Sequence, residues 1–233
     1  MQTSGFPGFP TQLFTFLREL KENNNREWFQ DNKRRYKEDV VYPVQDFIIA
    51  IGARLNKISK YYDADPRANG GSMFRIYRDA RFSRNKEPYK THVGCQFRHH
   101  AGKDAHAPGF YLHLEPDNVF FGGGVWMPPN PVLDQIRQRI IARPDEWAAI
   151  VKKRSFIQRF EALRGESLKR PPRGYDADAP HIEDLKRKSF IVMQDASESM
   201  ACGPDFIAKV NHGYKAVAPM MEFVTSSMGL PFI

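Results

Sequence analysis

Apolar positions over the first sixty residues recur at the spacing of helices that turn one face to a core. Leu13, Phe14, Leu17 and Leu20 fall on one side of a turn-by-turn repeat and predict a first helix. Asn24, with Glu27 three positions on, has the form of a capping box and predicts a second helix carrying Trp28, Phe29, Tyr36 and Val40. Pro43 suits a first helical position, where its missing N–H is no loss. Beyond it Val44, Phe47, Ile48, Ile51, Leu55 and Ile58 repeat at helical intervals. These aromatic residues read as core.

The period changes near residue 73. Met73 to Arg78 alternates as a strand does, and so does His92 to Arg98, with Val93, Cys95 and Phe97 on one face. Phe110, Leu112 and Leu114 alternate with Tyr111, His113 and Glu115. Pro116-Asp117-Asn118 signals a turn, and Val119 to Val125 returns as a hairpin partner. Strands joined by short links predict a largely antiparallel sheet. Helical spacing resumes after Pro131 (Leu133, Ile136, Ile140, Ile141), around Trp147, and from Phe156 to Leu163. Residues 165–181 have the composition of a loop, Lys188 to Met193 predicts one more strand, and a last helix runs from Pro204 to Met228 with a bend at Pro219. Helices on either side of a run of strands spell α+β: a single domain over 1–233. Its mainly antiparallel sheet is drawn from about 73–125 plus about 188–193, packed with N-terminal, middle and C-terminal helices.

Charge adds a sign to this outline. Lys and Arg number 35 against 27 Asp and Glu, a formal net charge of +8. That balance suits acidic partners, and it also serves solubility alone. Two cysteines far apart, Cys95 and Cys202, make no disulfide framework and no zinc pair. The first residues lack a basic stretch followed by an apolar run, and no long apolar run follows elsewhere, so the expectation is a reduced, cytoplasmic protein with no membrane partner.

The densest chemistry is RIYRDARFSRNKEPYKTH, residues 75–92. Arg75, Arg78, Arg81, Arg84, Lys86 and Lys90 face only two carboxylates, Asp79 and Glu87. A guanidinium grips carboxylate or phosphate through two parallel hydrogen bonds, which makes Arg75, Arg78, Asp79, Arg81, Lys86, Tyr89 and Lys90 candidates for an anion site. The alternative is an Arg–Asp clamp that holds a loop on the sheet. Tyr111, His113 and Glu115 share a strand face. Tyr111 joins the candidate binding residues, and His113 with Glu115 forms a candidate acid/base pair. Gly122, Gly123 and Gly124 stand where strand side chains usually pack, which points to close approach by a ligand, by backbone or by a helix. His99, His100, His106 and His113 lack the spacing of a metal motif, and no nucleotide-loop, dinucleotide or serine-elbow pattern occurs. No metal and no cofactor is expected.

Several of these stretches resemble one family: Phe16-Leu17, Asn24 to Phe29, Arg75 to Thr91, Gly109 to Leu112 and Gly122 to Trp126, with Pro172 to Tyr175 and Leu185 to Phe190 further on. Together they are similar to the conserved hypothetical proteins of bacteria and fungi grouped as domain of unknown function 2461. The pattern departs at Asn85, where that resemblance leads one to expect aspartate. It implies a single α+β domain and carries no catalytic assignment. Three readings of function follow from the residues. The leading one is an anionic small molecule, bearing phosphate or carboxylate, held at the Arg/Lys cluster. The others are a nucleic-acid module, with Tyr77, Phe82 and Tyr89 stacking bases, and a structural clamp with no ligand.

Overall fold

Leu13, Phe14, Phe16, Leu17 and Leu20 are the buried side chains of α1 (Thr11–Glu22), the first helix of a computed structural model that describes residues 5–79, 81, 84–102 and 106–233. The cap of α2 (Arg26–Asp31) is one residue later than the sequence pattern suggests. Asn25, not Asn24, accepts from the Trp28 N–H at 3.0 Å. Asn24 is used elsewhere: its amide donates to the Tyr89 carbonyl at 3.0 Å and accepts from the Tyr89 N–H at 3.1 Å. A short α3 (Lys33–Arg35) passes through a π-helical segment, Tyr36–Val41, into α4 (Tyr42–Leu55), with Pro43 in its first turn. Tyr36 packs on the rings of Phe16 and Phe29 at 5.7 and 5.3 Å.

The sheet is antiparallel throughout, in the order β1 (Val93–Arg98), β2 (Gly109–Glu115), β3 (Asn118–Val125), β4 (Phe190–Ala196). Asp117, at φ 62°, turns the β2–β3 hairpin. Between β3 and β4 come α5 (Asn130–Ala142), α6 (Pro144–Val151), α7 (Arg154–Phe160) and α8 (Ile182–Leu185). After β4 come α9 (Glu198–Ala201) and α10 (Phe206–Ser227), which continues through Pro219.

Alternation along the strands sorts the two faces of the sheet. Phe110, Leu112, Leu114, Phe121 and Val125 are fully buried on one face, and each contributes about 1.5–3 kcal/mol by leaving water. Helix α10 lies on this side. A β-carbon at Gly213 would meet the Phe121 ring at 2.4 Å, one at Gly123 would meet the Met221 sulfur at 3.1 Å, and the Tyr214 hydroxyl donates to the Tyr111 carbonyl at 3.1 Å. Of the three consecutive glycines, only Gly123 makes room for this helix. Gly124, at φ 142°, is required by backbone: a β-carbon there would lie 2.0 Å from the Phe190 carbonyl.

Both outer edges of the sheet are covered by short, irregular pairings. Beside β1, Phe74 N–H bonds to the Gly94 carbonyl at 2.9 Å and Gln96 N–H to the Ser72 carbonyl at 2.8 Å. The chain then changes partner: Lys90 N–H bonds to the Ile76 carbonyl at 2.8 Å and Arg78 N–H to the Pro88 carbonyl at 2.9 Å. Residues 73–78 are therefore extended but form no strand, because a ladder needs successive bonds to one neighbour; only isolated bridges, Met73 to Cys95 and Tyr77 to Tyr89, survive. Beside β4, Arg164 N–H bonds to the Ile191 carbonyl at 2.8 Å. Among the described residues no helix is long and apolar enough to cross a membrane.

Candidate functional site

The face of the sheet away from α10 carries the polar side chains of β2 in a hydrogen-bonded row. Tyr111 Oη lies 3.2 Å from His113 Nδ1, and His113 Nε2 lies 3.2 Å from Glu115 Oε2. Asn118, across the hairpin, donates to the same Glu115 oxygen at 2.8 Å. A carboxylate only accepts, so Nε2 carries the imidazole proton, Nδ1 is the free lone pair, and the Tyr111 hydroxyl donates to it. His113 is 7 % exposed. Burial holds it below its ordinary value despite Glu115. For Glu115, burial pushes the carboxyl up, but hydrogen bonds from Asn118 and His113 outweigh it and leave the group below its ordinary value. Burial raises the Tyr111 phenol.

His92 completes this row. Its ring stacks on His113 at 4.6 Å, while Phe120 stacks on His113 at 4.5 Å. Burial, then His113, Lys90 and Arg78, drive His92 down to about 4 against the opposing pull of Glu115. The apolar triplet Val93, Cys95, Phe97 draws attention to the core face of β1 and leaves His92 unnoticed; the signal for it is the same alternation, which places it beyond Gly94 on the opposite face. Gly94 matters for a second reason. A β-carbon there would stand 2.6 Å from Tyr111 Oη and 3.1 Å from the Phe74 ring, so its absence gives the hydroxyl its place.

Beside the row lies a cavity of about 440 Å³. Phe74, Tyr111, Phe120 and Trp126 supply rings, Ile191 and Met193 supply aliphatic contacts, and Gly109, Gly123 and Gly124 offer bare backbone. Its polar lining is slight: the Gln96 amide, whose Nε2 donates to the Ala107 carbonyl at 3.3 Å, and Arg164, which Asp195 already holds by two bonds of 3.0 and 2.9 Å. Of the residues in the row, Tyr111 borders the cavity, with His113 and Glu115 behind it.

The cation-rich segment folds back over this end of the sheet. Arg81 grips Asp79 at 2.9 and 2.7 Å and holds its carboxyl down to about 2. Arg78 pairs with Glu87 at 3.2 Å, and Asn85 bonds the same Glu87 oxygen at 2.8 Å. Lys86 reaches the Arg81 carbonyl at 3.4 Å. Lys90 stands apart. Its ammonium donates to the Arg75 carbonyl at 2.9 Å and sits 5.5 Å from the centre of the Phe74 ring; burial, then Arg75, lower its pKa. Among the described residues no carboxylate lies within ion-pair distance of Lys90 or Arg75. Tyr89 is a core residue, 2 % exposed and stacked on Phe29 at 4.1 Å, so it has no free face for a base. Tyr77 is 48 % exposed, and Phe82 lies outside the described residues.

His99, His106 and Cys95 serve local structure. His99, fully buried, accepts from the Ala101 N–H at Nδ1 and therefore donates from Nε2 to the Pro231 carbonyl at 2.9 Å, pinning the C-terminal tail. His106 stacks on Trp126 with the planes 6° apart. Cys95 is in the core, where burial pushes its thiol up to about 12. Among the described residues no group of three or more His, Cys, Asp or Glu is placed to hold a metal ion.

Neither the curated proteins nor the solved structures include one that matches this chain. The signature stretches nevertheless meet in one place: Arg75 to Thr91 follows directly on the Ser72–Phe74 segment that pairs with β1, Gly109 to Leu112 and Gly122 to Trp126 border the cavity, and Asn24 anchors Tyr89. A family model matches residues 12–223, and the chain belongs to that family, described as conserved hypothetical protein (DUF2461).

Proposed function

We propose that this protein binds a small molecule bearing a phosphate or carboxylate group, its body in the 440 Å³ cavity and its charge beside Lys90. One observation carries the reading. Lys90 is a partly buried ammonium that has a carbonyl and a ring for partners, no carboxylate among the described residues, and Arg75 as a like-charged neighbour. A cation withdrawn from water among like charges is stabilised by an added anion. Phe74 links the two parts of the site, since its ring lies under Lys90 and also lines the cavity. The Arg81–Asp79 and Arg78–Glu87 pairs hold the turn that presents Lys90. In this reading the His113–Glu115 pair supplies acid/base chemistry to the cavity through the Tyr111 hydroxyl.

The test is thermal unfolding in inorganic phosphate or benzoate at constant ionic strength. A hundredfold excess over Kd stabilises a folded protein by about 2.7 kcal/mol. The melting temperature of the natural protein should rise with ligand, and that of Lys90→Met, equally stable without ligand, should not. Equal rises in both proteins would refute the reading.

A further inference from the structure

Four aromatic rings and a stretch of bare backbone stand beside Ile191 and Met193 in the lining of the cavity. Resting on the anion-binding reading above, we infer that the molecule held there is a planar aromatic or heteroaromatic ring carrying the anionic group, not a flexible alkyl chain. The floor is the first reason. Gly109 and Gly124 face each other across the β2–β3 pair, and both border the cavity. Adjacent strands lie about 4.8 Å apart, and same-face positions recur about 6.8 Å along a strand. A facing pair with no side chains of its own therefore leaves bare backbone on the floor, bordered on the β1 side by Gln96, whose Cγ and Nε2 lie 3.1 Å from where a Gly109 β-carbon would stand. At Gly124 the backbone itself excludes a side chain, which would collide with the Phe190 carbonyl.

The walls are the second reason. Phe74, Tyr111 and Phe120 enclose the space, and aromatic rings favour offset or edge-on contact with another ring. Trp126 stands at the mouth, 54 % exposed, yet it is not loose: His106 stacks on it at 5.6 Å with planes 6° apart, and His106 Nδ1 donates to the Trp126 carbonyl at 3.0 Å. A large ring kept in water and fixed in orientation is a ready stacking platform, with little ordering left to do on binding. Direction is the third. Arg164 on the β4 side is already matched by Asp195, whereas Lys90 lies above Phe74 on the β1 side, so a ring on the floor points its anion toward Lys90.

Full-length protein titrated with 2-naphthoate, octanoate and neutral 2-naphthol, followed by tryptophan fluorescence and by melting temperature, decides the matter. Naphthoate is expected to bind at least about tenfold more tightly than octanoate, a difference of 1.4 kcal/mol. Trp126→Leu should lose about tenfold for naphthoate and clearly less for octanoate. Octanoate binding as tightly as naphthoate, with Lys90→Met abolishing both, overturns the ring inference and leaves the anion reading standing. Naphthol binding as tightly as naphthoate, with Lys90→Met changing neither, upholds the ring and overturns the anion. No binding by any of the three overturns both.

Discussion

Acidification should weaken this fold through one histidine above all. His92 is held near 4 in the folded chain, against an ordinary value of 6.5, chiefly by burial and then by His113, Lys90 and Arg78. A depressed imidazole stabilises the folded state where both forms are neutral, above pH 6.5, and that stabilisation is lost as pH falls toward 4, because the unfolded chain then binds a proton that the folded one refuses. At pH 5 the unfolded imidazole is almost wholly charged and the folded one about a tenth charged, so integrating from pH 7 to pH 5 gives a loss of about 2 kcal/mol from this group alone. His113 and His99, both lowered by burial, act in the same direction, so the useful quantity is a difference between variants. Urea unfolding at pH 7 and pH 5 should show the natural protein losing about 2 kcal/mol more than His92→Gln. The direct measurement is an NMR titration of the imidazole carbon-bound protons. A His92 titrating near 6.5, or equal losses in the two proteins, would refute the electrostatic account of this corner of the site.

Other expectations follow from single contacts. Asn24→Ala removes both side-chain bonds to the Tyr89 backbone and should cost about 1–3 kcal/mol in urea unfolding; a loss below half a kilocalorie would mean that water replaces them. Gly124→Ala forces a side chain to φ 142° and into the Phe190 carbonyl, and should cost at least about 2 kcal/mol or prevent soluble expression. Gly94→Ala should push Tyr111 Oη away from His113, seen as a shift of the His113 resonances with the sheet intact; unchanged resonances would contradict that packing. Arg81→Ala breaks a largely exposed, solvent-screened pair and should leave the melting temperature nearly unchanged. A drop of several degrees in melting temperature would instead favour the structural clamp.

Most of the architecture is legible in spacing, and the reasons for the misses are physical. Alternation is a property of one chain, so Tyr111, His113 and Glu115 can be assigned to one face before any partner strand is known. The same property misleads at residues 73–78, where the chain is extended but divides its hydrogen bonds between β1 and residues 88–90. Asn24 and Asn25 fit the capping template almost equally, and only the distant Tyr89 backbone decides between them. Counting charges over a dozen residues shows that two of the cations find carboxylates, but which two, and the isolation of Lys90, depend on how the segment folds. The cavity has no local signature, because Phe74, the Phe120–Trp126 stretch and Ile191 come from three segments far apart in the chain. Its floor is hinted at by the glycines, but their neighbours are known only once β4 is in place.

The incomplete pairing along β1 has a consequence for anyone who would re-engineer this surface. An uncovered outer strand offers a row of N–H and C=O groups on which a second molecule can add a strand of its own. Here that row is masked by Ser72 to Phe74, the lead-in to the segment that carries the cations. Grafting a new loop between residues 72 and 92 would thus open this edge to self-association, and changes aimed at ligand preference belong on Trp126, Ile191 or Met193, where the sheet margin stays sealed.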